Sequence, residues 1–107
     1  MNDFPFKEQQ IGKNVFLREF TKDVNNEELV WHRDREDRIV EVIEGRGWML
    51  QLDEELPVEM KKGHMYLIPE GTYHRIMKGN SDLKIRIDFI IEIENVKRIE
   101  FCIAFEF

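Results

Sequence analysis

Apolar residues along this chain recur at every second position in short runs, each closed by Gly, Pro or a knot of charged residues. Period-two alternation is strand patterning, and short strands with regular turn signals predict an all-β sandwich or barrel. No stretch of about a dozen residues carries the apolar spacing of a helix. The pattern predicts strands over Val15–Phe20, Leu29–Arg33, Arg38–Glu44, Trp48–Leu52, Pro57–Met60, Met65–Ile68, Tyr73–Met77, Leu83–Ile93 and Arg98–Phe107. Between them lie the polar stretch Thr21–Glu28, the charged turn Asp34–Asp37, Gly45-Arg46-Gly47, Asp53-Glu54-Glu55, Lys61-Lys62-Gly63, Pro69-Glu70-Gly71 and Lys78–Asp82. In the last strand Ile99, Phe101, Ile103, Phe105 and Phe107 share one face, which must be covered by something.

Composition narrows the class. The 107 residues suit one domain, 1–107, and a chain of that size buries roughly 60–70% of its unfolded surface. Apolar residues at 42% and charged residues at 36% are those of an ordered globular protein. Cys102 is the single cysteine, so no internal disulfide forms, which fits a reducing, cytoplasmic setting. The N-terminus has an early acid and no apolar run, unlike a secretory signal. The longest apolar tract, Ile85–Ile93, is broken by Arg86, Asp88 and Glu92, so no membrane span is expected. With 22 acids against 16 bases the net charge is −6. Arg33, Arg35, Arg38 and Arg46 cluster, but Asp34, Glu36, Asp37, Glu41 and Glu44 interleave with them. Nucleic acid is therefore not an expected partner. No Gly-rich phosphate loop, Ser-His-Asp order or paired Cys motif appears, so no nucleotide cofactor is expected.

Two segments carry ordered punctuation. His32, Asp34, Arg38 and Gly45 form the first, over 26–45, with Asn26 ahead of them. Gly63, Pro69, Gly71 and His74 form the second, over 63–80. The chain resembles the cupin superfamily, whose first motif runs Gly, His-any-His, Glu, Gly, and whose second runs Gly, Pro, Gly, His, Asn. Asn26 stands at the first Gly, a place where Asn also accepts positive φ. Asp34 stands at the second His, Arg38 at the Glu, and Lys78 at the closing Asn, with Asn80 two residues later. The resemblance covers about half the chain and implies a jelly-roll barrel, the double-stranded β-helix, completed by strands over 83–107.

In metal-binding members the two motifs deliver three His and one Glu to one ion. Carried over by position, His32, Asp34 and His74 are the metal ligands expected here. Period two puts His32 and Asp34 on one strand face. Two His and one carboxylate are also the set that holds non-haem iron with open positions, and they suit Fe, Mn, Ni or Zn. Arg38 cannot ligate a cation, because its guanidinium stays protonated. It is instead a candidate to hold a small anionic substrate, or a rival to the metal for Asp34. Catalytic residues in the strict sense are not identified.

Plainer readings stand beside these. His32 and His74 could be structural barrel residues, Asp34 a turn residue, and Arg38 part of a surface salt bridge with Glu36 or Asp37. His64 reads as a solvated loop residue, Trp31 and Trp48 as core or interface, Arg86 with Asp88 as a surface pair, and Cys102 as inert packing. Three functions compete: a metal-dependent enzyme of dioxygenase or isomerase type, a metal-free small-carboxylate binding or sensing module, and an assembly role. A homodimer is the expected state, since symmetric dimers are the commonest oligomers and the Arg98–Phe107 face needs cover.

Overall fold

The computed structural model describes residues 4–90, which form two antiparallel sheets with the core between them. In chain order the strands are β1 (Lys7–Gly12), β2 (Val15–Phe20), β3 (Asp37–Glu44), β4 (Met49–Leu52), β5 (Val58–Glu59), β6 (Met65–Ile68), β7 (His74–Met77) and β8 (Leu83–Ile90). The larger sheet has the order β1-β2-β8-β3-β6, and the smaller one β5-β4-β7. Sequence-distant strands lie side by side, as a jelly roll requires.

β8 is the spine of the larger sheet, pairing with β2 on one side and β3 on the other. Its alternation is read out directly: Leu83, Ile85 and Ile87 are buried, while Lys84, Arg86 and Asp88 lie on the opposite face. The registers Arg18↔Ile85, Val40↔Ile87 and Val42↔Ile85 carry that inner face across to β2 and β3. From the other sheet Leu50 closes the core, with Trp48 and Met60 packed beside it. Trp48 is fully buried and donates its indole N–H to the Ser81 carbonyl at 2.8 Å, so its one polar group is satisfied. Gly79 is needed where the chain passes this ring. A Cβ there would lie 2.2 Å from the Arg46 carbonyl oxygen and 2.5 Å from the Trp48 nitrogen.

Most predicted strands are present, with ends shifted by no more than a residue or two within the described residues; the predicted end at Ile93 lies outside them. Three expectations are corrected. Leu29–Arg33 is not a strand: the Asn25 side chain accepts from the Glu27 N–H and starts a 3-10 turn over Asn26–Glu28, which closes at Leu29. What remains of pairing there is one bridge, His32 to His74. Asn26 therefore sits in the turn, and Glu54 is the non-glycine residue with positive φ among those described. Asp37 is no surface turn residue either. It opens β3, is 6% exposed, and accepts the Glu70 N–H at 2.7 Å.

β1 escaped the pattern because its KEQQIG side chains are almost all exposed. An edge strand paired on one side shows no buried alternation to read. Gly63 and Gly71 both take positive φ, as the turn reading expects. Among the described residues no helix is long and apolar enough to cross a membrane. Cys102 and the predicted strand Arg98–Phe107, with its apolar face, lie outside the described residues.

Candidate metal centre

The site forms where the two punctuated segments run antiparallel. His32 and His74 exchange both backbone hydrogen bonds, at 3.0 and 2.8 Å. Directly opposed residues project to the same side of the sheet, so this one bridge aims both imidazoles together. Two further bonds fasten the segments: Gly71 N–H to the Asp34 carbonyl at 2.9 Å, and Glu70 N–H to Asp37 Oδ1 at 2.7 Å. The Pro69-Glu70-Gly71 turn thus fixes where His74 enters and where Asp34 leaves. Asn26 ties in the far end, its amide oxygen accepting from Lys78 N–H at 3.3 Å.

His32, Asp34 and His74 converge, with one ligand atom from each lying within 4.8 Å of the others. The ring centroids of the two His are 4.2 Å apart, inclined at 58°. His74 is buried at 4% exposure, the Asp34 side chain is 10% exposed, and His32 lies at the open side. Each imidazole is held by the carbonyl two residues before it, His32 Nδ1 on Val30 at 3.0 Å and His74 Nδ1 on Thr72 at 2.9 Å. A carbonyl only accepts, so each Nδ1 carries the hydrogen, and a neutral ring then turns a lone pair outward at Nε2.

That tautomer creates a conflict. His74 Nε2 stands 3.3 Å from Asp34 Oδ2, and this oxygen is buried without a hydrogen bond. With the ring neutral, two lone pairs face each other across this gap, and either a proton on Nε2 or a metal ion between them satisfies both. The 3.3 Å separation matches two neighbouring ligands on one ion, since ligands ~2.1 Å from zinc sit about 3.0–3.4 Å apart. Two nitrogens and a carboxylate suit Fe, Mn, Ni or Zn, and suit Mg or Ca poorly. The residues fit a divalent transition metal. Burial pushes the Asp34 carboxyl up, but a hydrogen bond from His74, the charge of Arg38 and those of the two imidazoles when protonated outweigh it and hold it below its ordinary value.

Arg38 lies on the inner face of β3, in register with Phe89 and over its ring at 4.6 Å. Its Nη2 meets Asp34 Oδ1 at 3.4 Å, and Nε and Nη2 hold Glu36 at 2.8 and 2.7 Å. The rivalry expected between Arg38 and a metal is resolved by division: Arg38 takes Oδ1 of Asp34 and leaves Oδ2 toward His74. The salt bridge to Glu36 is present, and the alternative partner Asp37 is engaged with Glu70 instead.

The cluster opens into a cavity of about 350 Å3 between the sheets, with Phe20, Val40, Leu50, Ile76, Ile85 and Ile87 on its wall. His32, Asp34, His74 and Arg38 all line it, so the expected site residues share one chamber. His64 lies outside it in an exposed turn, its N–H on the Lys61 carbonyl at 3.0 Å. Trp48 is core, whereas Trp31 is 41% exposed and packs under Arg75 at 4.7 Å. Arg86 and Asp88 form the expected pair on the outer face, at 2.8 Å.

No family model matches the sequence, and no curated protein does. Solved structures match well. A cupin-2 domain-containing protein from Shewanella frigidimarina NCIMB 400 superposes at TM-score 0.58 and 24% identity, over 81% of each chain. The chain has the cupin fold. HppE with Co(II) in complex with Tris buffer gives TM-score 0.66 at 11% identity, over 84% of this chain and 56% of that one. A chain from the structures of the DMSP lyases RdDddP and RnDddQII gives TM-score 0.64 at 13% identity, over 73% of this chain. The chain spans 38% of that lyase chain's length.

One cavity residue was not foreseen. Arg18 lies on the inner face of β2 and lines the chamber with Arg38. The signal was in the run Val15–Phe20, where Phe16, Arg18 and Phe20 share a face and a cation stands between two aromatics. Burial lowers the Arg18 pKa from its ordinary value, against the pull of Glu8.

Proposed function

We propose that this cupin-fold chain holds a divalent transition metal on His32, Asp34 and His74 and uses it on a small anionic molecule, in chemistry of dioxygenase or isomerase type. The observation that carries the proposal is the convergence of His32, Asp34 and His74, one ligand atom from each lying within 4.8 Å of the others, with the buried Oδ2 of Asp34 3.3 Å from His74 Nε2. A metal bound there supplies Lewis-acid polarisation of a substrate oxygen, or activation of dioxygen or water. The backbone carbonyls of Val30 and Thr72 fix both imidazole orientations. Arg38 braces the outer oxygen of Asp34 and presents charge to an acid group in the cavity. The apolar wall excludes water from the space around the substrate.

Metal content after purification without chelator tests this, with His74→Ala and His32→Ala alongside. His32→Ala guards the experiment against misfolding, because that side chain is exposed while His74 is buried. About one equivalent per wild-type chain, lost in both variants, is the expected result. A wild type that carries no more metal than the variants overturns the proposal.

A second reading has its own observation. The direct contact between Arg38 and Asp34, at 3.4 Å, suits a metal-free cup for a small carboxylate. It predicts that a carboxylate ligand raises Tm equally with and without EDTA, while divalent ions alone leave Tm unchanged.

A further inference from the structure

We infer that Arg18 is the anchor for the acid end of the ligand, and that the ligand is an amphipathic monocarboxylate with a short apolar body. The inference rests on the reading that the cavity takes a small anion, and it adds which residue holds it and what the rest of the molecule is.

Arg18 departs from the binary pattern of its strand. It points inward between Phe16 and Phe20, where a strand of this kind places an apolar residue. A guanidinium placed there stays charged and must be satisfied. Part of it is. Nε and Nη2 donate to Glu8 Oε2, the first at 2.8 Å, and the Phe6 ring lies 3.9 Å from the guanidinium carbon. A guanidinium carries five N–H groups, and the Glu8 bonds use two. The remaining donors have no partner among the described residues, and the side chain is 17% exposed on the cavity wall.

Arg18 and Arg38 are built alike but charged differently. Each lies on a phenylalanine ring, Phe6 or Phe89, and each is held by a glutamate, Glu8 or Glu36. Arg38 carries a second carboxylate, Asp34, and Arg18 does not. An incoming acid therefore meets less competing negative charge at Arg18. Glu28 and Asp34 offset the two arginines, so the lining carries no excess positive charge of its own, and its largely apolar wall favours a carboxylate over a more strongly hydrated phosphate. The rest of the wall is aliphatic and aromatic, so the body of the ligand is apolar. At ~30 Å3 per water the cavity holds roughly a dozen waters, and so a molecule of about ten non-hydrogen atoms. Such an acid, anchored on β2, leaves its far end facing the His32–Asp34–His74 cluster in the same chamber.

Octanoate, 1-octanol and inorganic phosphate serve as probes, titrated calorimetrically into metal-loaded wild type, Arg18→Gln and Glu8→Gln, with metal content measured in every sample. Octanoate is expected to bind wild type more tightly than octanol does, and phosphate not to bind. Arg18→Gln is expected to weaken octanoate roughly tenfold to a hundredfold, leaving octanol and metal content unchanged. Glu8→Gln breaks the same ion pair but keeps the guanidinium, so octanoate binding is retained or strengthened. Equal loss in both variants makes Arg18 a structural brace and overturns the inference, as does octanoate binding Arg18→Gln as tightly as wild type. Phosphate binding in preference to octanoate also overturns it. Metal retained while octanoate fails sinks this inference alone, whereas metal absent from wild type sinks the proposed metal site.

Discussion

The two segments that meet at the site are made differently. The second, from Gly63 to Asn80, consists of regular strands β6 and β7 joined by the five residues 69–73, and its punctuation was legible in the sequence. The first, from Asn26 to Asp37, is irregular and has almost no pairing of its own. It borrows its shape from the second through the His32–His74 bridge, the Gly71 bond to Asp34 and the Glu70 bond to Asp37. The regular segment is thus a template and the irregular one carries two of three ligands. Damage to the template should unfold the protein, whereas damage to the carried ligands should cost the site alone.

The largest expected effect is at the template's far end. Gly79→Ala forces a Cβ into the backbone at Arg46 and Trp48, neither of which can rotate away. We expect a loss of at least ~3 kcal/mol, seen as a fall in Tm of roughly 10 °C or more, or as failure to fold. Next is the fastening between segments. Asp37→Ala removes the charged acceptor of the Glu70 N–H and should cost about 1.5–3 kcal/mol in denaturant unfolding. Asp37→Asn keeps an acceptor oxygen and should recover much of that loss. Gly71→Ala is milder: the space around it is empty, so only the positive φ is penalised, at about 1 kcal/mol. A Gly71→Ala variant as damaged as Gly79→Ala would break the distinction between backbone clash and backbone strain.

The smallest effect sharpens the other side. Asp34 holds its proton less tightly in the fold than in the unfolded chain, so its ionised form adds stability above the unfolded carboxylate value of about 3.9. That stability disappears as pH falls toward the lowered folded value. In metal-free protein, wild type and Asp34→Asn should therefore converge in Tm as the pH drops below ~4 and differ above it. Parallel profiles across that range would contradict the pairing assigned to Asp34.

Legibility followed the same division. Gly63, Pro69, Gly71 and His74 act through local backbone geometry, which a sequence states openly. The inner face of β8 was equally plain, because both its neighbours bury the same alternation. His32 and Asp34 were found by spacing, but the strand expected around them was wrong. The Asn25 cap diverted the chain into a 3-10 turn, and polar capping leaves no trace in an apolar pattern. Asp37 was misread for a related reason: a buried acceptor and a surface turn acid look alike until the partner, here Glu70, is known. The division of Asp34 between Arg38 and His74 depends on which oxygen faces which group, and no spacing rule carries that. β1 and Arg18 were missed together, since the edge strand supplies the Glu8 that lets an arginine sit inside.

The most direct test of the metal site is anomalous diffraction from crystals grown with Fe(II), Mn(II), Ni(II) or Zn(II), collected across the absorption edge of the added ion. We expect one peak per chain, about 2.0–2.3 Å from Nε2 of His32, Nε2 of His74 and Oδ2 of Asp34. A saturated crystal with no peak there, or with Asp34 Oδ2 turned onto Arg38 and both imidazoles bound to protein at Nε2, would contradict it.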